Sequence, residues 1–487
     1  MKEILQAANR FVWGFPALLL IVTTGVRLTF HTGWIQFRLF PAAMRTFFTS
    51  FQKKQNKDGV SPYRALCTAL AATVGTGNLA GVGGAIAIGG PGAIFWMWIF
   101  AFLGMVTKFA EATLSVRYRI KDNCGNYVGG PMYIAQQGLG KRWLPIAALY
   151  SFLGVFAAFG VGSATQINAV IGGINGAVTS LGGQVSAKTN FLIGIILAVF
   201  AALVLLGGAK RIGSAAAYLV PFASVFYILL CVVVLLMRSY AIPQAFLSIF
   251  KGAFSPHAVT GGMVGSFFQV VRIGASRGVF TNEAGMGTAG MAHSSAQVSH
   301  PVEQGLMGIV EVFIDTIVIC TMTGLVILCS GISVPYGSDL GIRITADAFS
   351  AVFGNWVYIP IAISLVCFAF ATMIGWGLYG VRCAQFLFGE NVWKGFVILQ
   401  AISIVSGSVL GTGTVWLLSE TANGLMAIPN LLILMNLTPE LVRLVKEYIC
   451  LYGRRTAGGG TYENIKKPES MRFVTNAEIS PFGGKGC

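Results

Sequence analysis

Ala71-Ala72-Thr73-Val74-Gly75-Thr76-Gly77-Asn78-Leu79-Ala80-Gly81 decides the fold. The stretch lies inside an apolar segment, 62–88, long enough to cross a bilayer, yet it carries three glycines beside Thr73, Thr76 and Asn78. In hydrocarbon, each unpaired backbone N–H or C=O costs roughly several kcal/mol, so a span is interrupted only where the freed groups line a cavity or a site. A second interruption is expected at Gly274-Ala275-Ser276-Arg277-Gly278. A pair of broken spans in corresponding halves of a chain points to the binding site of a secondary transporter.

The composition agrees. Of 487 residues, 55% are hydrophobic and 10% charged, against about 25% charged in soluble domains. Repeated apolar runs make the chain a multi-pass membrane protein with the lipid bilayer as its solvent. The net charge of +16 does not point to nucleic acid, because the basic residues gather at span ends and in alternate loops, as the insertion rule requires. The nine cysteines form no CxxC and the four histidines no ligand spacing, so no metal-cluster chemistry and no organic cofactor is expected. No convergent Ser/His/Asp set or pair of metal ligands lies in the spans, which argues against a membrane-embedded enzyme. Residues 12–30 are too long for a signal h-region and are expected to stay as a first span.

Eleven spans are expected, near 12–30, 62–88, 92–118, 144–171, 189–207, 215–237, 262–291 (broken), 302–330, 356–385, 394–411 and 414–436. Arg38, Arg45, Lys53, Lys54 and Lys57 follow the first span, Arg117, Arg119, Lys121, Lys141 and Arg142 the third, and Lys210 and Arg211 the fifth. These clusters all fall on the cytosolic side if the N-terminus is outside and the C-terminus cytosolic. The interrupted second and seventh spans each open a set of five. Five is odd, so the sets enter the membrane from opposite sides, which is an inverted repeat. The organisation is then an extra first helix and a basic amphipathic loop (1–61), a first repeat (62–237), a second repeat (238–440) and a basic tail expected to be disordered (441–487).

Gly75-Thr76-Gly77-Asn78-Leu79-Ala80 also fits the dinucleotide fingerprint, but no strand precedes it and no suitably spaced acid follows, so the fit carries no cofactor. The same groups work better as a solute site. A helix resuming near Asn78 offers amide N–H groups and a positive dipole end to a carboxylate. The half-helix stopping near Val74 offers carbonyls to Na⁺ or an ammonium. A small neutral amino acid carries both charges close together. Gly274 marks the second interruption, where Thr281 or Asn282 is expected to cap a new helix with Glu283 in its first turn. Arg277 and Glu283 read as a gating or scaffolding pair. Gln166 in the fourth span is expected to line the site; Asn168 could do so or serve as interhelical glue. Thr372 and Trp376, four apart, share a face of the ninth span: a hydroxyl for Na⁺ and a wall for the pocket. Lys108 and Glu111 are expected to pair along the third span. Glu311 and Asp315 in the eighth fit either a proton route or hydrogen bonding within the bundle.

Taken together, Gly75–Val82, Gly89-Gly90-Pro91-Gly92-Ala93-Ile94-Phe95-Trp96-Met97-Trp98, Gly129-Gly130-Pro131-Met132-Tyr133, Arg277–Gly287 and Thr372-Met373-Ile374-Gly375-Trp376 resemble the alanine/glycine:cation symporter family. The resemblance implies an all-α integral membrane protein of the leucine-transporter type: eleven transmembrane helices, one extra helix before a five-plus-five inverted repeat. It implies uptake of alanine or glycine driven by Na⁺ across the plasma (inner) membrane, with serine, glutamine or another small neutral amino acid, and H⁺ coupling, as alternatives. It also implies a Na⁺ site at the carbonyls of Ala71 and Val74 with the Thr372 hydroxyl. Substrate would be held by the amides of Gly75, Thr76, Gly77 and Asn78 together with Gln166, with Trp376 limiting side-chain size. No obligatory protein partner is evident from the sequence.

Overall fold

The computed structural model describes residues 2–14, 16–51, 60–123, 125–262, 266–337 and 341–457. Apart from a hairpin pairing Ile120–Lys121 with Tyr127–Val128, its regular structure is helical. This follows from the solvent, since only a helix or a closed barrel satisfies its own backbone in lipid. Among the described residues, eight helices are long and apolar enough to cross a membrane, and nine if the bent pair Pro62–Thr73 and Gly77–Gly89 is one span. The seventh and tenth expected spans contain shorter helices, Phe267–Asn282 of 16 residues and Trp393–Gly407 of 15.

Burial sorts the bundle into centre and periphery. The apolar windows of Gly92–Arg117, Pro301–Cys329 and Asn355–Phe388 are 67%, 61% and 61% buried, whereas Ala187–Leu205 and Gly208–Met237 are 22% and 33%. Phe222, Leu229 and Leu236 of the latter stand exposed. An apolar face of this kind is what a lipid-facing helix needs. Inside, small residues let helices touch backbone to backbone. A Cβ on Gly375 would stand 2.9 Å from the Ala72 nitrogen, so the helix Tyr358–Phe388 lies directly on the first half of the bent pair.

Two expectations are corrected. The second interruption is not at 274–278: the helix Phe267–Asn282 runs unbroken through it. Gly274 and Gly278, four apart, form a packing stripe facing Trp96 and Met97, and spacing of that kind favours helix contact over a break. The helix ends instead at Glu283, whose φ is 54°, and Gly285 and Gly287, at φ 95° and 78°, make the turn before Thr288–His293. Thr281 and Asn282 therefore close the earlier helix, and Glu283 caps its C-terminal end rather than opening the next.

The second correction concerns the tail. Residues 441–457 belong to the helix Thr438–Ala457. Leu441, Leu444, Val445 and Tyr448 form a stripe at helical spacing that is buried in the bundle. Residues 458–487 lie outside those described. Of the basic loop, Ile35–Arg38 and Phe40–Ser50 are helical, with Phe40 edge-on to Phe313 at 5.0 Å; Lys53, Lys54 and Lys57 lie outside the described residues.

Candidate functional site

The first interruption is built locally. Ser61 caps the helix from Pro62 by accepting from the Arg64 amide at 3.2 Å. At Val74 the backbone turns extended, with ψ 95°, and the two helices diverge by 48°. The Gly75 N–H, which in a continuous helix would bond the Ala71 carbonyl, donates instead to Asn78 Oδ1 at 2.8 Å. The Asn78 N–H, the helical donor for the Val74 carbonyl, donates to Gly75 O at 3.3 Å. Asn78 thus closes a tight loop and diverts the donors of Ala71 and Val74. Gly77–Gly81 then continues as π-helix, a form that gathers at functional sites. Every residue from 65 to 87 is buried.

Two other helices face the loop. Gln166 follows a π-helical turn, Gly160–Ala164; its Nε2 donates to Val161 O at 3.0 Å, leaving Oε1 to accept from Thr76 Oγ1 at 3.0 Å. Thr372, on Tyr358–Phe388, aims its Oγ1 at the bare face of Gly75: a Cβ there would stand 2.5 Å from it and 3.5 Å from Gln166 Oε1. That Thr372 Oγ1 is buried with no hydrogen-bond partner. An unsatisfied buried hydroxyl in a native site calls for water, an ion or a ligand. Gly75, Thr76, Asn78, Gln166 and Thr372 are therefore brought together. Asn168 is not: it bonds Leu410 O at 2.9 Å, tying its helix to the connection that follows Trp393–Gly407.

Trp376, one turn beyond Thr372, is fully buried. Its indole N–H donates to Glu283 Oε1 at 2.6 Å, and Thr288 Oγ1 donates to Glu283 Oε2 at 2.5 Å. The second interruption thus reaches the site through Glu283, not through Gly274. At Gly274 an added Cβ would stand 2.5 Å from Trp96 Cβ and 2.7 Å from Ala93 O, so the missing side chain makes room for a helix and not for a solute. Gly274→Ala should lower the melting stability of purified protein by about 1–3 kcal/mol, the usual cost of overpacking, while substrate affinity of the folded fraction stays as in wild type. The expected Arg277–Glu283 pair is also absent: Arg277 bonds Glu420 at 2.9 Å and sits 5.5 Å over the Trp416 ring. Phe280 and Thr281, at the helix end, face Gly77.

Sequence reasoning missed two supports. Lys108 does not pair with Glu111 along its helix; its ammonium lies 3.4 Å from Glu311, whose other oxygen meets His293 Nε2 at 2.8 Å. Glu111 is thereby free to hold the second turn. Its Oε1 accepts from the amides of Gly285 and Gly287 at 2.9 and 3.0 Å and from Asn430 Nδ2 at 2.8 Å. Asp315, read only as undecided, accepts from Asn78 Nδ2 at 2.7 Å. The available signal was that each is an ionisable residue within a span, which by default has a partner or a role.

The chain matches the model of the sodium:alanine symporter family over residues 1–456. It is 41% identical over 450 residues to the sodium/alanine symporter AgcS of Methanococcus maripaludis, covering 92% of this chain and 97% of that one. It is 35% identical over 449 residues to the amino-acid carrier protein AlsT of Bacillus subtilis, covering 92% of each. Among solved structures, MhsT in complex with L-phenylalanine superposes with a TM-score of 0.55 at 15% identity, over 80% of this chain and 99% of MhsT; the likeness is one of fold. A helical bundle built around a donor-diverting loop, and a family match across nearly its whole length, agree: the chain belongs to the sodium:alanine symporter family, whose members are transporters and not enzymes.

Proposed function

We propose that this protein imports a small neutral amino acid, alanine or glycine, together with Na⁺, by alternating access across the plasma membrane. The observation that carries the reading is the meeting of Thr372 Oγ1, buried and without a partner, with a loop whose helical donors have been diverted. Na⁺ is cargo in this scheme. The carbonyls of Ala71 and Val74 with the Thr372 hydroxyl are oxygen donors suited to a hard monovalent cation. The amides of Thr76 and Gly77, at the head of the resumed helix, face a carboxylate, whereas the expected donors Gly75 and Asn78 spend their N–H groups inside the loop, on Asn78 Oδ1 and Gly75 O. Gln166 orders the same loop through Thr76. Trp376 closes the pocket and limits side-chain size. The names of AgcS, a sodium/alanine symporter, and AlsT, an amino-acid carrier, fit this cargo.

The same reading takes the chain as eleven spans, an extra helix before two inverted sets of five, with the N-terminus outside and the C-terminus in the cytosol. The helices Phe267–Asn282 and Trp393–Gly407 supply the seventh and tenth spans, the seventh ending within the membrane at Glu283. One bundle rocks about the central site, and the ion gradient drives it, since one charge is worth about 2.3 kcal/mol per 100 mV. Arg277, tied to Glu420, and Asn282 and Glu283 at the second turn serve the gating frame rather than substrate contact.

Uptake of labelled alanine into proteoliposomes with an inward Na⁺ gradient tests the scheme. Accumulation should require the gradient and collapse when Na⁺ is equal on both sides. Thr372→Ala should raise the Na⁺ concentration for half-maximal uptake by about tenfold, equivalent to about 1.4 kcal/mol of lost ion binding, with folded protein yield preserved. Unchanged Na⁺ activation in that variant would remove the ion-site assignment.

A further inference from the structure

Asp315 lies between the two interruptions, and two strings of hydrogen bonds converge on it. From the first loop, Gly75 N–H donates to Asn78 Oδ1 at 2.8 Å, and Asn78 Nδ2 donates to Asp315 Oδ1 at 2.7 Å. From the second, Ala284 N–H donates to Asn282 Oδ1 at 2.9 Å and Asn282 Nδ2 to Thr316 Oγ1 at 3.1 Å. The Thr316 hydroxyl donates to Asp315 Oδ2 at 2.8 Å. A backbone N–H can only donate, so each end fixes which way its amide side chain points. Both amides then present NH₂ groups inward, and with the Thr316 hydroxyl donating, the centre accepts at both of its oxygens. A carboxylate meets that demand; a carboxamide or a hydroxyl does not.

Asp315, Asn78, Asn282, Thr316, Thr281 and Cys320 are all at most 2% exposed, so the links are shielded from bulk water. Asp315 and Thr316 also sit in the π-helical stretch Phe313–Cys320, a local distortion of the kind associated with function. The neighbouring charges neutralise each other: Lys108 lies 3.4 Å from Glu311. Hydrogen-bond chains with two discrete arrangements are one physical means by which separated sites bias each other.

We propose that Asp315 is a positioning residue that couples the loop at Val74–Thr76 to the turn at Glu283–Gly287, so that ordering one orders the other. It touches neither substrate nor ion; it acts through Asn78 on one side and through Thr316 and Asn282 on the other. The inference rests on the transport reading above and deepens it.

The test separates exchange from accumulation in proteoliposomes containing the full chain. Exchange of labelled for unlabelled alanine needs binding and passage; concentration against a gradient also needs the ion and substrate steps to be linked. Asp315→Asn keeps the shape but replaces one acceptor oxygen by a donor, which breaks one string. Exchange should stay within about twofold of wild type while Na⁺-driven accumulation falls by about tenfold, a coupling of ordinary size. Thr316→Val keeps the carboxylate and the Asn78 link and removes only the second string; it should show the same split, and it carries the test alone if Asp315→Asn does not fold. Equal loss of exchange and accumulation in folded Thr316→Val, or no loss of either, would overturn the coupling role. Failure of the wild-type protein to exchange any small neutral amino acid would instead overturn the transport reading itself.

Discussion

Gly75→Ala should abolish uptake. The new methyl would lie 2.5 Å from Thr372 Oγ1 and 3.5 Å from Gln166 Oε1, inside the space where the loop meets the helices Tyr358–Phe388 and Thr165–Ser180. The first contact is short enough to force Thr372 to move, while the second is ordinary van der Waals contact, and overpacking costs about 1–3 kcal/mol. The larger effect is on transport, because the methyl occupies the volume proposed for the cation and masks the Thr372 hydroxyl. Uptake at saturating alanine should fall by a hundredfold or more, a change of about 2.7 kcal/mol. The double variant Gly75→Ala with Thr372→Ala removes the collision but not the loss of the ion ligand. Its thermal stability should recover while its Na⁺-dependent uptake does not. Recovery of both would show that Gly75 serves space alone, and the ion site would have to be sought elsewhere.

Glu111→Ala should have the largest effect on stability. One carboxylate oxygen receives the amides of Gly285 and Gly287 and the side chain of Asn430, and the residue is 1% exposed. Each buried donor left unpaired costs about 1–3 kcal/mol, so a loss of about 4 kcal/mol or more is expected, beyond the cavity. Glu111→Gln keeps one acceptor oxygen and should recover most of it. Thermal melting of the purified protein in detergent, monitored for both variants, checks the order: wild type, then Gln, then Ala. A Glu111→Ala protein as stable as wild type would mean that the turn at 283–287 holds itself.

The first interruption was legible because its signal is local. Glycine at 75 and 77 with Thr76 and Asn78 inside an apolar run has few structural explanations in lipid. The second was misplaced because Gly274 and Gly278 are also glycines in an apolar run, and sequence does not distinguish a glycine that meets Trp96 from one that leaves a helix. The positive φ of Gly285 and Gly287 is the physical difference, and it becomes visible only when the chain is folded. Arg277 found Glu420, and Lys108 found Glu311, across 143 and 203 positions of sequence respectively. Pairings at such separations depend on which helices are neighbours, which spacing along one helix does not record. The helix Thr438–Ala457 was overlooked for a different reason: the basic and glycine-rich composition just beyond it outweighed the apolar stripe within.

Thr372 and Trp376 are separated by a single turn of the same helix, about 6 Å of rise, and Trp376 grips Glu283 at 2.6 Å. A rod that short is stiff against bending. Thr372 and the Trp376 end of the Glu283 bond therefore ride on one segment of helix, like two hooks fixed to one short bar. In the proposed scheme, cation release at Thr372 and loosening of the Glu283 turn would therefore be yoked, and a carrier built this way would resist leaking one passenger without the other.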